Sequence, residues 1–171
     1  MIYMGLDASS SCTGICIFND RNLIYYNKIK PKDNVDFRHN TCEIIGKVVA
    51  IAERYKPDYI FMEDIPKYAR KGSRGGSLIK PVISLGAVQG VFYYELVYKH
   101  GYKIRFVDVY EWRQELDLLK GERKREEQKD KAVKYVNKLF GLNLYYVKGK
   151  KSVKDDDDIA EAICIVVSQI K

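Results

Sequence analysis

The sequence predicts one α/β domain whose sheet opens with an antiparallel meander and is extended by parallel strands that return through helices. Three observations carry this expectation. Apolar β-prone runs at 2–7 and 13–19 are separated only by small residues, and a third run at 22–30 follows the turn Asn19-Asp20-Arg21-Asn22, the spacing of consecutive hairpins. Apolar runs at 58–63 and 104–109 each follow a long helical pattern, as strands joined by crossover helices do. The chain has 171 residues, 46% of them hydrophobic, which suits a single domain spanning 1–171 with its own core.

Taken in order, the meander closes by Asn34, and a helix follows from Asp36 to Tyr55. Its apolar positions Ile44, Ile45, Val48, Ile51, Ala52 and Tyr55 recur at helical spacing, and Pro57 marks its end. Asp58 to Glu63 is a short strand that finishes on an acid. After Pro66 comes a basic, glycine-rich loop, Lys67 to Ser77, and then a largely apolar helix from Leu78 to Lys99. Gly86 and Gly90 share one face of that helix, where small residues allow close packing. Ile104 to Val109 is a strand, and Tyr110-Glu111-Trp112-Arg113 opens a short helix or turn. Trp112, the only tryptophan, reads as a core residue.

The stretch 120–140 forms an amphipathic helix with a solvated basic start. Ala132, Val136, Leu139 and Phe140 form its apolar face, and Gly141 is its cap. Residues 142–147 read as a short strand or extended segment, and 148–154 as a basic loop. Asp158 to Ile170 is an apolar helix capped by aspartates, which favour a helix N-terminus through capping and the macrodipole.

Thirty Lys and Arg against 23 Asp and Glu give a net charge of +7, compatible either with a polyanion partner or with plain solubility. Cys12, Cys16, Cys42 and Cys164 contain no C-x-x-C pair, which argues against a zinc site or a disulfide framework. The start lacks a signal-like pattern, and no run reaches the roughly 20 apolar residues of a membrane helix. The expectation is a soluble, cytoplasmic chain with no membrane partner.

Singly, each acid has an ordinary explanation. Asp7 can end a strand, Glu63 can pair with a lysine, and Asp155 to Asp158 can cap a helix. Yet four consecutive aspartates exceed the needs of one cap, and Asp158 and Glu161 at i, i+3 share a helical face. If the fold gathers Asp7 and Glu63 beside them, each like-charge pair at about 4 Å costs on the order of 4 kcal/mol at an effective dielectric of 20. Hard divalent cations relieve that cost and prefer such an all-oxygen set. Two ions about 3.5–4 Å apart can activate water and stabilise the leaving oxygen of a phosphodiester. No Ser-His-Asp arrangement is evident, and His39 and His100 lie in helical segments with no matching acid or nucleophile motif. The reading is therefore a metal-dependent nuclease.

In order and spacing, several motifs resemble RuvC-type Holliday junction resolvases of the ribonuclease H-like superfamily, nearest to bacteriophage members. They are Gly5-Leu6-Asp7-Ala8-Ser9 with Thr13-Gly14, Phe61-Met62-Glu63, Ser84-Leu85-Gly86-Ala87-Val88-Gln89-Gly90-Val91, Tyr110-Glu111-Trp112-Arg113, and Asp158-Ile159-Ala160-Glu161-Ala162-Ile163. The resemblance implies a five-stranded mixed sheet, three strands antiparallel and two parallel, flanked by helices. It implies a homodimer that holds branched DNA, above all four-way junctions, and nicks it with two Mg²⁺ ions per active site, Mn²⁺ substituting. Asp7, Glu63, Asp158 and Glu161 become the catalytic, metal-binding acids. Candidate DNA contacts are Ser9, Lys67, Tyr68, Arg70, Lys71, Arg74, Lys80, Lys150 and Lys151. The chain departs from the family's pattern twice: Glu161 stands where an aspartate is usual, with Asp155 or Asp157 as possible substitutes, and Pro66 stands where bacterial members carry a base-contacting aromatic.

Two other classes stay open on sequence. A basic junction- or RNA-binding protein without catalysis would use its acids only as caps. An actin- or sugar-kinase-like ATPase shares the strand–Asp–turn–Thr-Gly–strand pattern but needs two such domains, and this chain has room for one.

Overall fold

A computed structural model describes residues 1–33, 35–65, 79–119, 125–147 and 155–170. The meander is β1 (Ile2–Asp7), β2 (Thr13–Asn19) and β3 (Asn22–Ile29), followed by α1 (Phe37–Tyr55) and β4 (Tyr59–Glu63). Then come α2 (Ile79–Tyr93), running directly into a π-helical segment Tyr94–Lys99, and β5 (Ile104–Val107). The short α3 (Val109–Glu115), α4 (Arg125–Phe140) and α5 (Asp157–Gln169) complete the described elements. The sheet order is β3-β2-β1-β4-β5. β1, β2 and β3 pair antiparallel, and β1, β4 and β5 pair in parallel, so the expected five-stranded mixed sheet is the one observed.

β1 and β2 are buried on both faces, which explains why they read as unbroken apolar runs, whereas the edge strand β3 is largely exposed. One set of alternating residues, Met4, Leu6, Ile15, Ile17, Ile60 and Met62, packs with Ile44, Val48 and Ala52 of α1 and Val88 and Phe92 of α2. The opposite set, Cys16, Phe18, Phe61 and Val107, packs with Ile163 and Val166 of α5, Trp112 of α3 and Val136 of α4. Gly5 belongs to this second face. A β-carbon there would lie 2.4 Å from the Ala162 carbonyl oxygen, so α5 rests directly on the backbone of β1.

Local signals account for the boundaries. The Asp36 carboxylate accepts the backbone N–H groups of Arg38 and His39 at 2.7 and 3.1 Å, starting α1 as an N-cap. Lys56 ends it in the left-handed region, at φ 48°, one residue before Pro57.

Several expectations need correction. Gly86 and Gly90 do not mark a close contact: a β-carbon on Gly90 would meet no described atom within 4 Å, and one on Gly86 only Ile65 at 3.6 Å. The helix instead reaches the sheet through Val88 and Phe92. Leu139 is exposed rather than buried with Ala132 and Val136. Residues 142–147 join no strand, and bonds to Asn137 and to the backbone and side chain of Asp156 hold them instead. Asn137 both donates to the Leu144 carbonyl at 2.9 Å and accepts its N–H at 2.8 Å, and Asp156 accepts the N–H of Tyr145 at 3.0 Å. Asp156 is consequently spent, and although it precedes α5 it makes no side-chain cap. No helix among the described residues is long and apolar enough to cross a membrane.

Candidate active site

The strand alternation that places Gly5 and Phe61 against α5 also sends Asp7 and Glu63, each two residues further on, to the same face. Leu6 and Met62 are register partners of the parallel β1–β4 pair, so the two acids follow side by side at the C-terminal ends of neighbouring strands. Asp7 is also the register partner of Gly14 on β2, and the Asp158 backbone presses on Gly14. The first turn of α5 thereby brings Asp158 to Asp7, and Glu161 follows one turn later. Sheet register and one glycine thus bring together the four sequence-predicted acids.

Their environments differ. Asp7, Glu63 and Asp158 are partly exposed, whereas Glu161 is 3% exposed. Desolvation and then the charges of Glu161, Glu63 and Asp158 push the Asp7 carboxyl well above its ordinary range, against the opposing charge of Lys129. Glu63 is raised to about 7, by desolvation first and Glu161 second, with Arg113 and a Trp112 hydrogen bond pulling the other way. Asp158 is raised mainly by desolvation, and its hydrogen bond with Cys12 works against that rise. Carboxylates whose charges bear on Asp7 from two sides are a costly structural arrangement, one that a hard cation would relieve. As the side chains are placed, no set of three His, Cys, Asp or Glu residues among those described is gathered tightly enough to hold an ion. The oxygen-only donor chemistry of Asp7, Glu63 and Asp158 nevertheless fits Mg²⁺ or Mn²⁺.

Glu161 is engaged by cations of the protein itself. Its Oε1 accepts from Arg113 at 2.5 Å, and Lys129 Nζ stands 3.8 Å from its Oε2. Lys129 also pairs with Asp157, and although burial works against its charge, Glu161 and Asp157 raise its pKa, keeping the ammonium protonated. The remaining aspartates are committed elsewhere. Asp156 pairs with Lys28 at 2.6 Å, and Asp155 is buried with its carbonyl accepting from the same lysine at 2.8 Å. The Asp155 carboxylate faces the Val147 N–H at 3.4 Å, and Asp157 is paired with Lys129.

Sequence reasoning missed Lys129, Trp112 and Arg113 as parts of the site. Lys129 had a signal: it stands three, four and seven residues before Ala132, Val133 and Val136, on the buried face of α4, an unusual place for a lysine. Trp112 is fully buried as expected, yet its indole N–H donates to Glu63 Oε2 at 3.1 Å. Of the candidate DNA contacts, Ser9 closes the β1–β2 turn, donating to the Cys12 carbonyl at 2.6 Å and accepting the Cys12 N–H at 3.1 Å. Lys67, Tyr68, Arg70, Lys71, Arg74, Lys150 and Lys151 lie outside the described residues, as does the side chain of Lys80. His39 and His100 are exposed.

No protein family and no curated protein matches the sequence. Solved structures do match in three dimensions. RuvC of Thermus thermophilus in complex with a Holliday junction substrate superposes with a TM-score of 0.68 at 14% identity, covering 98% of this chain and 91% of that one. The fowlpox virus resolvase complexed with Holliday junction DNA gives 0.58 at 16% identity, covering 99% and 97%. The yeast mitochondrial Holliday junction resolvase gives 0.63 at 12% identity, covering 98% and 77%. At such identities the likeness establishes the fold: this chain has the ribonuclease H-like fold of RuvC-type resolvases.

Proposed function

We propose that this chain is a metal-dependent endonuclease that nicks branched DNA, resolving four-way junctions as a homodimer. The observation that carries the reading is the meeting of Asp7, Glu63 and Asp158 at one sheet edge, on a fold shared with junction-bound resolvases. A net charge of +7 supplies the long-range attraction for a polyanion.

In this reading Asp7, Glu63 and Asp158 hold a pair of Mg²⁺ or Mn²⁺ ions, which supply water activation and stabilisation of the leaving oxygen in phosphodiester hydrolysis. Strand ends fix Asp7 and Glu63, and the contact on Gly14 fixes Asp158, so the acids are preorganised by backbone rather than by loops. Lys129 holds a permanent positive charge beside Asp7 and Asp158, offsetting part of their repulsion and favouring the anionic phosphate. Glu161 anchors Lys129 instead of serving as an open ligand.

The test is cleavage of a synthetic four-way junction with Mg²⁺, with strand-end mapping alongside Y-shaped and linear duplex DNA. Symmetric nicks in the junction are expected. Scattered nicks on every branched substrate would leave a general branch nuclease, and metal-independent binding without any cleavage would overturn the enzymatic reading.

A further inference from the structure

We propose that Trp112 and Arg113, consecutive residues of α3, are positioning residues for the candidate metal centre. Trp112 sets Glu63, and Arg113 sets Glu161 and through it Lys129. The proposal rests on the nuclease reading for its purpose and on the following contacts for its substance.

The placement of α3 is tightly determined. Val107 of β5 is the register partner of Glu63, and the next residue, Asp108, caps α3 by accepting the Tyr110 N–H at 2.7 Å. The helix therefore begins beside the strand end that carries Glu63. Its neighbouring residues point in directions about 100° apart. One of them can reach the sheet edge while the next reaches the helices packed over it.

Trp112 does the first. It is fully buried among the residues of the α5 face, where phenylalanine would satisfy packing alone. What indole adds is a single N–H, and it is aimed at Glu63 Oε2 at 3.1 Å. The backbone carbonyl of Glu63 is held as well, accepting from Gln89 at 2.7 Å. With one carboxylate oxygen fixed, the other has a defined direction. Loss of a partner that orients a ligand in this way typically costs about 10–100-fold in metal affinity.

Arg113 does the second. Its side chain is 10% exposed, its guanidinium stacks 4.7 Å from the Trp112 ring, and its two terminal nitrogens diverge. One donates to Gln128 of α4 at 2.6 Å and the other to Glu161 of α5 at 2.5 Å. Arg113 thus bridges the helix that carries Lys129, next to Gln128, and the helix that carries Asp158. The Arg113 Nε is buried without a partner among the described residues, a cost that packing does not explain. A forked cation spanning two helices at the level of the site does explain it, and lysine cannot reproduce the fork.

The experiment is Mn²⁺ binding by the full chain without DNA, followed by calorimetry, with thermal melting to confirm that each variant is folded. Trp112→Phe and Arg113→Lys are each expected to weaken Mn²⁺ binding about tenfold or more. In nicking assays the Mn²⁺ concentration for half-maximal rate should rise by the same factor, while the rate at saturating Mn²⁺ falls much less. Residues that only support the fold would lower the melting temperature and leave metal affinity unmoved. A readout in the unaltered chain guards against a variant that fails to fold. Trp112 is the only tryptophan, so Mn²⁺ should quench its fluorescence saturably, and Glu63→Gln should abolish the saturable part. Folded variants that bind Mn²⁺ within twofold of wild type, or wild-type fluorescence indifferent to Mn²⁺, overturn the proposal even if junctions are nicked. Conversely, weakened Mn²⁺ binding in a chain that nicks no DNA supports the positioning roles and sinks the nuclease reading.

Discussion

Gly14 and Asp158 touch backbone to backbone: a β-carbon on Gly14 would sit 1.8 Å from the Asp158 carbonyl oxygen. Gly14→Ala must therefore push the first turn of α5 off the sheet. The expected result is destabilisation of about 3 kcal/mol, as for severe overpacking, and loss of junction cleavage, measured by denaturant unfolding and nicking. Gly90→Ala provides the contrast. A β-carbon there meets no described atom within 4 Å, so alanine is expected to be neutral or to stabilise by about 0.5–1 kcal/mol.

Asp7→Asn and Glu63→Gln should bind junctions in gel-shift assays and fail to cut them. Each also removes a member of a repelling group, so without metal at pH 8 both variants should melt higher than wild type, by about 3 °C if 1 kcal/mol is relieved. Full cleavage by either would remove it from the site.

Glu63 titrates at about 7 in the folded chain and near 4.5 ordinarily. Between those values the folded state holds more protons than the unfolded one, so metal-free stability should fall as pH rises through this window, and the raised Asp7 carboxyl adds to the fall. Saturating Mg²⁺ favours the ionised form and should flatten the fall. Melting curves from pH 4.5 to 8, with and without Mg²⁺, decide it.

Lys129→Met strands Asp157 in a largely buried setting, where breaking a pair costs about 3–5 kcal/mol, and leaves Glu161 to Arg113 alone. Lys129→Arg keeps the charge and should recover most of that stability. Urea unfolding of both variants checks the difference.

Much of this architecture is legible in residue order. Strand runs ending in Asp7 and Glu63, and an i, i+3 acid pair on an apolar helix, are local patterns, whereas the shared face of the two strand acids follows from the β1–β4 register. What escaped detection depends on contacts between distant segments. Nothing local distinguishes Trp112 packed in a core from Trp112 packed in a core and bonded to Glu63. Gly86 and Gly90 satisfy a packing motif that the helix does not use, because its orientation is set by Val88 and Phe92. The run Asp155 to Asp158 looked like surplus capping, and only the fold shows its charges divided among Lys28, Lys129, the 142–147 backbone and the acid site.

β1 lies in the middle of the sheet, hydrogen-bonded on both sides and covered by helices on both faces. Its amides are expected to exchange with solvent only when the whole domain opens, which would make Asp7 part of the last segment to come apart. The acid that first marks the site is borne by the central strand, so under denaturant the site should persist until the global transition and vanish with it.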